Sequence, residues 1–173
     1  MLANRITDYL LDDHRRLETL LASATREAVF DHAAFEEFRA GLLRHIAIEE
    51  KLLFPAARKA RNGVPIERAH QLRIEHGAIG ILLVPTPDHA LCAELASVLQ
   101  AHDALEEGED GVYAECERLI GVEQSRALLE RARDFPAVPA AKHFDGPNAF
   151  RTAHEALASA SRIAPPRSTK PQT

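Results

Sequence analysis

Cysteine is scarce in this chain of 173 residues, because only Cys92 and Cys116 are present. They do not form a CxxC pair, so the sequence offers neither a disulfide framework nor a thiolate metal site. We interpret both as small core or boundary residues with reduced thiols. This usage is typical of a cytoplasmic protein, which is the location we expect.

Long apolar runs and an excess of positive charge are also missing. No run is long enough to span a bilayer, and the N-terminal stretch with Asp8, Asp12 and Asp13 does not read as a signal peptide. The formal net charge is −5. This charge gives no reason to expect nucleic acid or an acidic membrane as a partner.

Strand signals are absent too, since there are no alternating β-branched runs and no hairpin dipeptides. Apolar residues instead recur at helical spacing, which predicts four long helices. The first runs from about residue 4 to 28, and the second from the N-cap Asp31 to about residue 61. The third runs from Pro65 to about residue 83, and the fourth begins after the N-cap Asp88. Pro55 is expected to kink the second helix or to loosen one of its turns.

Short loops between these helices predict an all-α, up-down-up-down four-helix bundle with a C-terminal helical extension. His14 and His45 each lie ~15 residues from the turn at Phe30, so an antiparallel hairpin places them at the same height. We assign residues 1–121 to the bundle, 122–163 to the extension and 164–173 to a disordered tail.

Histidine is what the chain has in excess, with nine residues. One core-facing histidine lies on each predicted helix: His14, His45, His76 and His102. Residues 45–50 read HIAIEE and residues 102–107 read HDALEE. On a helix, Glu49 and Glu106 follow their histidines at ~40° around the axis and share their face. Glu50 and Glu107 lie ~140° away and are predicted to be solvated charges.

Four imidazoles and two carboxylates are too many ligands for one tetrahedral zinc ion. They fit two ions of higher coordination number, with each carboxylate bridging both. Nitrogen and oxygen ligands without thiolate indicate iron, with manganese or zinc as second choices. Two ferrous ions are nearly balanced in charge by the two carboxylates and one bridging hydroxide.

This ordered set of motifs resembles the hemerythrin-like (HHE cation-binding) family over roughly residues 4–120. The residues that carry the resemblance are Asp13-His14, His45-Ile46-Ala47-Ile48-Glu49-Glu50 with Leu53-Phe54-Pro55, Glu75-His76, and His102-Asp103-Ala104-Leu105-Glu106-Glu107. The resemblance implies a four-helix bundle with a non-haem di-iron centre. His14 and His45 would bind one iron and His76 and His102 the other, with Glu49 and Glu106 bridging. It also implies oxygen, nitric oxide or peroxide as ligand, or a role in iron sensing or storage.

Two positions depart from the oxygen-carrying members of that family. Those members have a second histidine on the third helix, one turn from the first, where this chain has Gly80. The chain is therefore more similar to members with four histidines, and we expect room beside Gly80 for solvent or a ligand. Oxygen carriers also space the fourth-helix carboxylate five residues from its histidine, which selects Glu107. Helix geometry favours Glu106, and Glu107 stays open as the alternative.

Other readings of single residues remain. Any one of the core-facing histidines could be a hydrogen-bonded core residue. Glu18 could bind metal beside His14 or be a surface charge, and either His143 or His154 could supply a fifth histidine ligand. His32, His70 and His89 are predicted to lie on the surface.

We expect a non-haem di-iron protein that binds or senses a small ligand or handles iron. The alternative is a di-iron oxidoreductase acting on peroxide, nitric oxide or ferrous iron. The binding protein is favoured over the enzyme, because the sequence shows no substrate-pocket signature and no surface for a reductase. The expected partners are the small ligand and, as one arrangement, a second copy of the chain.

Overall fold

A computed structural model describes residues 4–163, and all regular structure in that range is helical. The helices are α1 Ile6–Thr25, α2 His32–Ile48, α3 Phe54–Ala60, α4 Ala69–Leu82, α5 His89–Glu106, α6 Val112–Arg133 and α7 Ala153–Ile163. The predicted all-α class is thereby confirmed. No helix in residues 4–163 has the length and apolar character needed to cross a membrane. The predicted tail at 164–173 lies outside the described residues.

The predicted caps of two helices are confirmed, whereas the predicted start of α4 is wrong. Asp31 accepts hydrogen bonds from the first backbone N–H groups of α2, and Asp88 does the same for α5. Pro65 does not open α4, and its carbonyl accepts a hydrogen bond from the guanidinium of Arg61 at 2.8 Å. The N–H of Ala69 bonds to Ile66 O instead, in a tight turn, and the α-helix begins only there.

A π-helical turn, Glu49–Leu53, joins α2 to α3 without a break, so the two form one continuous helix. The backbone N–H of Phe54 bonds to the carbonyl of Glu49, five residues earlier. Pro55 follows at once and has no N–H to donate, so a local departure from α-helical hydrogen bonding is expected there. The predicted loosened turn is therefore confirmed.

Two apolar clusters form the core, one on each side of a polar layer. The first cluster contains Ile6 and Leu10 at the start of α1 with Ile48, Leu52 and residues of α4 and α6. The second joins the end of α1 to the start of α2 and to the facing parts of α4 and α5, and it includes Leu21 and Phe38. Such pairing of helix ends is what an up-down-up-down bundle requires, and the exact topology stays a prediction.

The C-terminal helices cover the bundle on two sides. Helix α6 packs on α1 and α3, and it changes direction at Gly121, whose φ of 73° favours glycine. Beyond the kink, the buried hydroxyl of Ser125 accepts a hydrogen bond from the backbone of Ile6 at 3.2 Å. Helix α7 packs on α4, where Ala160 lies against Gly77. The predicted domain boundary at 121/122 coincides with the kink, and the division itself stays a prediction.

Candidate metal centre

The structure brings the six predicted ligand residues together in the polar layer. Their donor atoms form two overlapping groups, one with His14 and His45 and one with His76 and His102, and both groups include Glu49 and Glu106. Within each group the donor atoms lie within 4.8 Å of one another. All six residues are buried, and both carboxylates are 0% exposed.

Each histidine directs its Nε2 atom into the centre. The Nε2 atoms of His14 and His45 are 3.0 Å apart. Glu49 lies 3.5 Å from His45 Nε2 through one oxygen and 3.3 Å from His76 Nε2 through the other. Glu106 Oε2 lies 3.3 Å from His102 Nε2 and 3.5 Å from His14 Nε2. Each carboxylate therefore reaches one histidine from each pair.

Several inward atoms have no hydrogen-bond partner in the protein. These are Glu49 Oε2, His76 Nε2 and both side-chain oxygens of Glu106. Leaving a buried polar atom unsatisfied costs ~1–3 kcal/mol, and more for a charged group. Four such atoms converging on one layer are what a cation site requires, so the residues fit a bound metal ion with nitrogen and oxygen ligands.

The outward ring nitrogens follow a crossed pattern. Asp13 accepts a hydrogen bond from His45 Nδ1 at 3.1 Å, and Glu75 accepts one from His102 Nδ1 at 3.0 Å. In both cases the acceptor is the chain neighbour of a different central histidine. A carboxylate on Nδ1 fixes the tautomer, directs Nε2 to the metal and makes it a stronger donor.

Glu50 and Glu107 complete this pattern, which corrects their interpretation as solvated charges. Glu50 accepts a hydrogen bond from His76 Nδ1 at 2.9 Å, and Glu107 accepts one from His14 Nδ1 at 2.8 Å. The ~140° offset assumed a continuous α-helix. Glu50 instead lies in the π-helical turn, and Glu107 lies past the end of α5 with an extended backbone.

Electrostatics in the metal-free chain favours a bound cation. Burial raises the pKa of the Glu106 carboxyl and repulsion by Glu49 raises it further. Burial also acts to raise the pKa of Glu49, but His45 and His76 outweigh it and hold that pKa well below its usual range. Two carboxylates thus face each other in a buried layer, where a cation relieves their repulsion.

Tyr113, in the first turn of α6, was not predicted as part of the centre. Its buried hydroxyl donates to Glu49 Oε1 at 2.5 Å and lies 3.2 Å from His14 Nε2. No motif spacing links α6 to the histidines, so the sequence pattern could not place it. The available signal was weaker: a tyrosine in an apolar helical pattern needs a partner for its hydroxyl.

The remaining candidate ligands lie elsewhere. Glu18 and His154 are exposed, and His143 bonds to Glu36 Oε1 at 2.6 Å, beside the second apolar cluster. His32, His70 and His89 are exposed as predicted. Gly80 has open space beside it, since a Cβ atom there would meet nothing within 4 Å.

The sequence model of one protein family, the hemerythrin HHE cation binding domain, matches residues 5–138. The chain belongs to this family. No curated protein and no solved structure matches the chain. Membership in the hemerythrin HHE family agrees with the buried histidine and glutamate groups that could hold a metal ion.

Proposed function

We propose that the chain is a non-haem di-iron protein that binds or senses a small ligand such as oxygen, nitric oxide or peroxide, or handles iron. In this proposal His14 and His45 hold one ion, and His76 and His102 hold the other. Glu49 and Glu106 would hold both ions as shared ligands, and an oxo or hydroxo group would complete the centre. Bound iron supplies a centre that can change oxidation state and leave a coordination position open.

The arrangement of the two bridging carboxylates carries this proposal. Glu49 reaches a histidine of each pair through its two oxygens, at 3.5 and 3.3 Å. Both oxygens of Glu106 and one of Glu49 are buried without a hydrogen-bond partner. A purely structural histidine layer would satisfy such atoms within the protein. Two ions shared between two histidine pairs satisfy all of them.

The protein contributes orientation and a dry environment around the iron. The outward carboxylates hold each imidazole with Nε2 pointing inward, so little rotamer freedom is lost when metal binds. The two apolar clusters close the layer above and below. This low-dielectric setting strengthens the attraction between cations and the central carboxylates.

Anaerobic iron loading of the full chain tests the proposal. We expect two irons per chain, one for each donor group. The optical and EPR spectra of the reduced protein should change on exposure to oxygen or nitric oxide. Absence of bound metal, with an unchanged helical fold, would instead support a metal-free helical bundle.

Two neighbouring carboxylates on α5 provide a matched test of the bridging role. Glu106→Gln should lose at least one iron per chain, because this buried side chain faces both histidine pairs. Glu107→Gln should keep both ions with weaker affinity, because Glu107 only contacts the outward nitrogen of His14. If Glu107→Gln loses iron and Glu106→Gln keeps it, the bridging assignment is wrong.

A cavity beside α3 and α4 could admit the substrate of an oxidoreductase, which is the second candidate function. It has a volume of about 720 Å³, which is more than a diatomic ligand needs. Glu50 and Phe54 line it, and these two residues contact the ring of His76. Turnover of peroxide or nitric oxide with an added electron donor would favour the enzyme, and a stable adduct would favour the binding protein or sensor.

A further inference from the structure

We infer that Tyr113 is a fifth protein ligand of the ion held by His14 and His45, binding through its phenolate oxygen. The inference rests on the proposed di-iron centre and deepens it. It assigns a ligand from α6, outside the four helices that carry the histidine motifs. It also makes the two ions chemically different.

The position of the Tyr113 hydroxyl among the donor atoms is the first argument. It lies 2.5 Å from Glu49 Oε1, 3.2 Å from His14 Nε2 and 3.4 Å from His45 Nε2. Adjacent donors around an octahedral ion with bonds of ~2.1 Å lie ~3 Å apart. The hydroxyl is therefore spaced from the two imidazole nitrogens as a further ligand of the same ion would be, and its separation from Glu49 Oε1 is that of a short hydrogen bond.

The alternative roles of that hydroxyl provide the second argument. In the metal-free chain its proton goes to Glu49, which leaves it satisfied. When Glu49 and the two imidazoles bind an ion, the imidazole lone pairs are used, and Glu49 Oε1 keeps one lone pair for this hydroxyl. Binding the ion as a phenolate replaces that remaining hydrogen bond with an oxygen–metal bond. Metal loading then forms the oxygen–metal bond and releases the phenolic proton to solvent.

Charge balance agrees with a phenolate in the loaded centre. A cation beside Glu49 and Glu106 favours the deprotonated form of a phenol that coordinates it. The phenolate adds one negative charge to a centre whose ions bring more positive charge than the bridging groups cancel.

The two ions would then differ in the number of coordination positions that the protein leaves open. The His14/His45 ion has Tyr113 beside it, whereas the group of histidine, cysteine and carboxylate donors around His76 and His102 in residues 4–163 is completed by Glu49 and Glu106 alone. The exogenous ligand is therefore directed to the His76/His102 ion. Glu50 and Phe54 join that side to the cavity.

The experiment compares the only two tyrosines of the chain. In the ferric protein a phenolate ligand gives a broad visible charge-transfer band and phenolate ring modes in resonance Raman spectra. Tyr113→Phe should lose both signals while keeping two irons, because the four histidines and two carboxylates remain. Tyr9→Phe is the matched control, since Tyr9 bonds to Arg44 and not to the centre, and it should keep both signals.

Zinc loading gives a readout that does not depend on iron chemistry. The ultraviolet difference spectrum on adding zinc should show ionisation of a tyrosine in the unmodified protein and in Tyr9→Phe, but not in Tyr113→Phe. Two bound irons without a phenolate signal would overturn the Tyr113 assignment alone. Failure to bind any metal would overturn the proposed function as well. A phenolate signal that persists in Tyr113→Phe would also reject the assignment.

Discussion

Asp13 lies 3.1 Å from Nδ1 of His45, although its chain neighbour is His14. The same relation recurs on α4. Glu75 is the chain neighbour of His76, and yet it accepts a hydrogen bond from His102 on α5. Each carboxylate therefore ties the helix that carries it to the next helix at the level of the centre. The two halves of the site repeat this arrangement, as the two HxxxEE motifs repeat in the sequence.

Removing the carboxylate of Asp13 should weaken metal binding without removing a ligand. Asp13→Asn takes away the charge that holds His45 in place, and loss of such a partner typically lowers metal affinity ~10–100-fold. Competition with a chelator of known affinity measures the change. Asp12→Asn is the control, because Asp12 is exposed and pairs with Arg15. Equal affinities in both variants would show that Asp13 does not position the histidine.

The stability of the metal-free protein should fall as the pH rises. Burial lowers the pKa of His45 and of His76, but the Glu49 carboxylate outweighs it and both pKa values are raised to about 10. Histidine in the unfolded chain titrates near ~6.5. The stabilisation from these two charged histidines is therefore complete below pH ~6.5 and is lost as the pH rises through about 10.

Urea unfolding with a chelator across that pH window measures this effect. The metal-loaded protein is the control, since its ligand histidines are neutral and carry no such protons. Its free energy of unfolding should also be larger, because bound metal stabilises the folded state. The same decline with pH in the loaded protein would contradict the assignment of these histidines as ligands.

The sequence pattern could predict the six inward residues because their positions depend on helical periodicity. A histidine and a glutamate four residues apart share one face whatever the neighbouring helices do. His14 and His45 also lie at matching distances, ~15 residues each, from the predicted turn at Phe30. The structure accordingly places Glu49 and Glu106 inward, as the helix geometry predicts.

The rest of the site depends on tertiary contacts and on departures from ideal helix geometry. Glu50 turns toward His76 because a π-helical turn precedes Pro55. Tyr113 enters the centre because α6 packs against α1, which no local spacing encodes. Helix α4 begins at Ala69 and not at Pro65, since the N–H of Ala69 bonds to Ile66 O in a tight turn. Each of these departures from the sequence-based prediction involves a partner that is distant in the sequence or an irregular turn.

Two glycines of α4 should respond differently to the same substitution. Gly80→Ala should raise the free energy of unfolding by ~0.5–1 kcal/mol, because alanine is the better helix former and the new Cβ atom meets nothing within 4 Å. At Gly77 the new Cβ atom would lie 3.1 Å from the Cβ of Ala160. We therefore expect Gly77→Ala to give a smaller gain or a loss as α7 is displaced.

Urea denaturation of both variants, compared with the parent protein, measures this difference. A Gly80→Ala variant that is less stable than the parent would show that the space beside position 80 is needed by another group. Equal gains in the two variants would show that α7 does not pack closely on α4 in solution.

Phe54 should control how fast an exogenous ligand reaches the centre. Its ring is stacked on His76, with the ring centroids 6.2 Å apart, and it also lines the cavity beside α3 and α4. Phe54→Ala removes the aromatic ring that lies between that cavity and His76, a predicted ligand of the second ion. Stopped-flow mixing of the reduced, iron-loaded protein with nitric oxide should show faster association than in the parent.

Two comparisons make the test of Phe54 specific. Phe144→Ala is the control, because this ring is 52% exposed and belongs to the connection before α7, and its association rate should equal that of the parent. Truncating a partly buried phenylalanine should cost less than the ~3–5 kcal/mol of a fully buried one, so the variant should remain folded. Unchanged association in Phe54→Ala, with both irons bound, would mean that the ligand reaches the ions by another route than this cavity.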